Sequence, residues 1–252
     1  MAEQRYSWTR RWRDSLRWSV ARYPSLYLPY VDYRWRHDRQ ACRVVTRAAQ
    51  IVIDAFPRSG NTFATMAFQM SQPQPVQIAH HIHAPAQIIR GIQLRLPTLC
   101  IIRDPVDAVL SLLIKVERYL PQDAFSFYCK FYTPLLPLHD RFVMATFEQV
   151  TSDFGAVIGR VNAKFGTKFA EFQHTPENVQ RCFALVEQAN FHELGTTRVD
   201  EKHVARPSAE RDRAKAELKA RLQGDEVAHA RSQAYSVYER FKQSVGAAGG
   251  GA

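Results

Sequence analysis

The sequence predicts an α/β fold of three layers, a central and mostly parallel sheet flanked by helices. Three observations predict it. Two apolar runs, IVI at 51–53 and TLCII at 98–102, are rich in β-branched residues and read as buried strands. Each passes through a proline-containing loop straight into a helical pattern, so strand, turn and helix alternate twice, as a parallel sheet covered on both faces requires. A length of 252 residues gives room for one such domain with a substantial core, or for two small ones.

Taken in order, the chain begins with an extension over 1–47 that is basic and aromatic. Its first 44 residues carry ten arginines against four acids, a net +6. Trp8, Trp12, Trp18, Tyr23, Tyr27, Tyr30, Tyr33 and Trp35 are interleaved with them. Such an arm fits peripheral contact with an anionic membrane or contact with nucleic acid. The expected use is plainer: aromatics packed on the domain and arginines in solvent, because two prolines interrupt any long helical stripe. No nucleic-acid partner is expected.

The domain proper is expected over 48–245. After the first strand and its loop, a helix continues from Phe63. Residues 70–79 form a loop entering a short extended segment, and 86–95 read as a helix broken by Leu96 and Pro97. The second strand leads into a helix over 106–115. Residues 122–137 are helical and aromatic, ending near Pro134 and Pro137, and 141–148 give a further strand and turn. Asp153 is a credible N-cap for a helix over 154–165. Helices follow over 177–189 and, charged throughout, over 209–245; 246–252 is expected to be a flexible tail.

Composition sets outer limits. Hydrophobic residues at 46% and charged residues at 23% are ordinary for a globular protein. The charge of +10 suits an anionic ligand, nucleic acid or an acidic surface. The four cysteines form no C-x-x-C pair, which argues against a zinc site and suits a reducing compartment. Without a secretory signal or a membrane-spanning stretch, the expected location is cytoplasmic or at a membrane's periphery.

Two loops carry the chemistry. PRSGNTF at 57–63 joins a strand to a helix N-terminus, where unpaired backbone N–H groups and the helix dipole favour an anion, and Arg58 adds a permanent cation. It is not a Walker A loop, because no Lys follows Gly60. At the end of the second strand stands RDP at 103–105. A helix from Pro105 brings Ser111 near Arg103, and an arginine with a hydroxyl at a strand's C-terminal end can bind one phosphate. Between the loops lie His80, His81 and His83, of which a histidine is a sensible base at neutral pH.

The order and spacing of these motifs resemble those of the PAPS-dependent sulfotransferase family, over about residues 48–215. The first loop resembles P-[KR]-S-G-T-T-[WF], with Asn61 in place of Thr. RDPVDAVLS at 103–111 resembles R-[DN]-P-x-D-x-x-x-S. HIHAP at 81–85 resembles K-T-H-x-P, with His81 in place of Lys. TFEQV at 146–150 resembles a strand ending in Y-E-D-L, with Phe147 for Tyr, and ANFHEL at 189–194 resembles T-S-F-x-x-M.

The resemblance implies a P-loop NTPase-like three-layer α/β domain. It also implies transfer of a sulfuryl group from 3′-phosphoadenosine 5′-phosphosulfate (PAPS) as co-substrate. The acceptor would be a hydroxyl or amine of a small molecule, carbohydrate or lipid. His83 would be the catalytic base and Arg58 would stabilise the leaving group. Arg58, Ser59, Gly60, Asn61, Thr62 and Phe63 would hold the 5′ end, Arg103 and Ser111 the 3′-phosphate, and Phe191 the adenine, with Phe63 also placed to stack on it. The family's R-K-G-x-x-G lid is not recognisable; Arg206, Ser208 and Arg211 form the best basic candidate. No metal is required, since arginines and backbone donors supply the neutralisation, and no carboxylate is evident beside the histidines. Two alternatives stand beside this reading: a divergent P-loop kinase-like phosphotransferase, and a non-catalytic nucleotide-binding or membrane-associated protein.

Overall fold

The computed structural model describes residues 8–36, 43–194, 216 and 218–249, with side chains left out at 189–194 and 244–249. A four-stranded parallel sheet runs in the order β2-β1-β3-β4, with β1 Ile51–Ala55, β2 Ile78–His80, β3 Thr98–Ile102 and β4 Val143–Thr146. The register pairs Ile53 with His80 and Leu99, and Ile101 with Ala145. Every residue of β1 and β3 is buried, as expected of central strands covered on both faces.

Strand periodicity divides the core in two. Ile51, Ile53, Leu99, Ile101, Val143 and Ala145 face one cluster. Helices α3 (Asn61–Ser71), α8 (Phe154–Phe165) and α9 (Pro176–Leu194) supply its other wall. Val52, Cys100, Ile102 and Met144 face the opposite cluster. That side is covered by α1 (Trp8–Val20), α2 (Pro24–Arg34), α4 (Pro85–Gln93), α5 (Pro105–Lys115), α6 (Pro121–Tyr132) and α10 (Ala228–Gly249). The result is the three-layer α/β architecture.

The expected helix boundaries follow from local chemistry. Asp104 caps α5 by accepting from the N–H groups of Val106 and Asp107, and Pro105 supplies the preset first turn. Asp153 caps α8 through Ala156 N–H. The aromatic helix α6 stops at Tyr132, and Pro134 and Pro137 turn the chain into a 3-10 helix over Thr133–Arg141. After β4 the expected turn is a short helix, α7 (Phe147–Ser152), closed by a capping box between Thr146 and Gln149.

One expectation is corrected at the C-terminus. The charged helix is not continuous: it breaks at Gly224, followed by a 3-10 turn over Asp225–Val227. The last helix then runs over Ala228–Gly249.

The N-terminal arm folds onto the domain. Trp18 stacks on Phe127 of α6 with centroids 5.4 Å apart and planes 11° from parallel. Arg11 pairs with Asp123 at 2.8 Å, and Lys130 Nζ donates to Ser15 Oγ at 2.9 Å. Ala21 O accepts from Ala86 N at 2.9 Å, which ties the corner between α1 and α2 to the first turn of α4. The expected packing holds for two of the eight aromatics, Trp18 and Tyr27, which are buried. The other described aromatics of the arm, Trp8, Trp12, Tyr23, Tyr30, Tyr33 and Trp35, are exposed.

Candidate anion-binding and proton-transfer site

The site lies at the C-terminal ends of β1, β2 and β3. There β1 gives way to Phe56, Pro57, Arg58, Ser59 and Gly60 before α3 begins. The loop turns through left-handed backbone at Arg58 (φ 68°) and Gly60 (φ 90°). Gly60 is required twice. Its φ suits glycine, and an added Cβ would sit 3.0 Å from Cδ2 of Phe147. It is also the N-cap of α3, and it offers no side chain to the first turn. The other helices from α2 to α8 start with a proline or a capping side chain. The first N–H groups of α3 are therefore left for an acceptor from outside the helix.

The two phosphate-type loops meet. Arg58 Nε donates to Ser111 Oγ at 3.1 Å, and Arg103 Nη1 donates to Arg58 O at 2.9 Å. The Arg103 guanidinium lies 4.1 Å from the centroid of the Phe147 ring. Its buried Nε has no hydrogen-bond partner, so one donor of a desolvated cation is left over. Tyr128 Oη fixes the strand end by donating to Arg103 O at 2.8 Å.

The histidines occupy strained backbone beside this loop. His81 and His83 have φ of 58° and 53°, a conformation that non-glycine residues hold only when their surroundings enforce it. His83 Nδ1 donates to Ala55 O at 2.8 Å. A carbonyl only accepts, so Nδ1 carries the proton and Nε2 keeps its lone pair. The side chain is 26% exposed, enough to meet a ligand. Burial pushes His83 down to about 4, with Lys115, Arg17 and Arg58 adding to the shift and the Ala55 carbonyl opposing it. Burial, then Arg43 and His83, take His80 down to about 4. Burial takes His81 well below its ordinary value, with help from its two histidine neighbours. All three are neutral at physiological pH. His81 Nε2 sits 3.1 Å from Thr62 Oγ1, and its Nδ1 lies 2.7 Å from Nδ1 of His80.

Sequence reasoning missed Asp54. This carboxylate is fully buried at the end of β1. It accepts from Ala55 N at 2.9 Å, from Asn61 Nδ2 at 3.3 Å, and from His83 N through both oxygens, at 3.2 and 3.1 Å. Its Oδ1 is 3.6 Å from His83 Nδ1, which corrects the expectation that no carboxylate adjoins the histidines. Burial pushes Asp54 up to about 7, against its backbone hydrogen bonds. The signal was present in the sequence: one acid within an apolar strand run, IVIDA. Asn61, which departs from the expected Thr, is explained by the same contact.

The remaining candidates divide. Ser59 and Asn61 are buried in the loop. Phe63 is only 6% exposed, with its ring among Phe172, His174 and Phe183 at centroid distances of 5.5 to 6.2 Å. It packs among these core rings at the first turn of α3. Phe191 falls in α9 with its side chain outside the described residues, and Arg206, Ser208 and Arg211 lie outside them altogether.

No protein-family model matches the chain, and no curated protein does. Among solved structures it is similar to mouse sulfotransferase SULT7A1 complexed with PAP. That likeness has 11% identity and a TM-score of 0.41, covering 76% of this chain and 90% of that one.

Proposed function

We propose that this chain transfers a sulfuryl group from PAPS to a hydroxyl or amine of a small-molecule, carbohydrate or lipid acceptor. The observation that carries the reading is the junction of the two loops. Arg58 and Arg103 converge with Ser111 beside an uncapped helix start, and a histidine with a free Nε2 stands next to them. The donor set fits a ligand with two anionic ends. The N–H groups opening α3, with Thr62, suit the 5′-phosphosulfate, and Arg103 with its leftover Nε suits the 3′-phosphate.

The acceptor oxygen attacks sulfur in line while the bond from sulfur to the 5′-phosphate oxygen breaks, and the bisphosphate leaves. His83 Nε2 takes the acceptor's proton. Arg58 and the loop N–H groups stabilise the charge growing on the leaving oxygen. Asp54 positions the base through the His83 backbone and, through Asn61, aligns the same loop with α3. His81, bonded to Thr62, stands where the resemblance places a lysine.

The test is His83→Ala, assayed with labelled PAPS against a panel of hydroxyl and amine acceptors. Turnover should fall by about 10² to 10⁴ while affinity for 3′-phosphoadenosine 5′-phosphate is kept. Wild-type turnover in that variant would overturn the role of base.

A further inference from the structure

Among the described residues, all the exposed large hydrophobic side chains lie within 8–35. They form an outward stripe on each helix of the arm. On α1, Trp8, Trp12 and Leu16 follow at every fourth position; on α2, Leu26, Tyr30 and Tyr33 share the face opposite buried Tyr27, Leu28 and Val31. Trp8 is 73% exposed, Trp12 60%, Leu26 66% and Tyr33 67%. Arginines accompany the stripes: Arg22, Arg34 and Arg36 lie over the rings of Tyr23, Trp35 and Tyr33 at 4.7, 5.4 and 4.2 Å, and exposed Arg13 lies on α1.

We propose that the α1–α2 arm docks the protein on an anionic lipid bilayer. Each helix already has its anchor to the domain, through Trp18 on α1 and Tyr27, Leu28 and Val31 on α2. The outward stripes are therefore not needed for folding. Tryptophan, tyrosine and leucine beside arginine suit an interface whose interior is apolar and whose surface is anionic. A second copy of the arm would oppose arginine to arginine. Nucleic acid would leave Leu16 and Leu26 without a partner, since aliphatic side chains do not stack on bases. No helix among the described residues is long and apolar enough to cross a membrane, so the contact is peripheral. This inference is independent of the transfer chemistry.

The experiment is co-sedimentation of the full chain with vesicles of phosphatidylcholine alone or mixed with phosphatidylserine, with tryptophan emission recorded in parallel. The protein should bind the mixed vesicles, shift its emission to the blue, and release as salt is raised. Trp8→Ser with Trp12→Ser should weaken binding by about tenfold or more. Arg13→Ala should weaken it by about fivefold. Trp8, Trp12 and Arg13 are exposed, so these variants should keep wild-type thermal unfolding. Equal binding to both vesicle types, or full binding by the variants, would overturn the proposal. So would arm-dependent dimerisation, or tighter retention on an RNA oligonucleotide than on anionic vesicles.

Discussion

Replacing Asp54 with asparagine should change the stability of this protein by an amount that depends on pH. The folded chain holds the Asp54 proton up to about 7, whereas an unfolded chain releases it near 3.8. Between those values the folded state binds one more proton than the unfolded state, so the contribution of Asp54 to stability falls as pH rises. The interval corresponds to roughly 4 kcal/mol at about 1.4 kcal/mol per pH unit. Asparagine does not titrate and escapes this loss. It also cannot present two acceptor oxygens to His83 N, which costs about 1–2 kcal/mol. Below pH 4 the variant should therefore be the less stable protein. By pH 7.5, a value chosen to lie above the shifted pKa, it should have gained about 4 kcal/mol relative to wild type. The assay is urea denaturation of both proteins from pH 4 to 8, taking the difference at each pH so that titrating groups remote from Asp54 cancel. A constant difference across that range would refute the reasoning.

Two further outcomes follow from the same geometry. Gly60→Ala should destabilise the protein by about 1–3 kcal/mol, from left-handed backbone and the approach to Phe147, and should weaken bisphosphate binding; an unchanged urea midpoint would count against it. Because His83 is pushed down to about 4, the base is free over most of the accessible range. The acid limb of kcat/KM should then bend near 4, and a bend at 6.5 would mean that His83 titrates as an ordinary histidine or is not the base.

Much of the fold could be read from the sequence because β1 and β3 are central and mostly apolar, and because Asp104 and Asp153 cap helix starts and Pro105 presets one. The two loops were legible for the same local reason. What escaped was long-range. Nothing near Asp54 in sequence says that it will accept from His83, 29 residues away. The surroundings of Phe63 were equally hidden: Phe172, His174 and Phe183 arrive only when α9 and the segment before it pack on α3. The break at Gly224 was hidden by a charge pattern that continues across it.

The central claim is that the two loops form one bisphosphate site. The most direct test is calorimetric binding of 3′-phosphoadenosine 5′-phosphate against ATP–Mg²⁺, on wild type and on Arg103→Ala. The account predicts that wild type prefers the bisphosphate and that Arg103→Ala loses most of that affinity. Preference for ATP, or equal bisphosphate affinity in the two proteins, would contradict it.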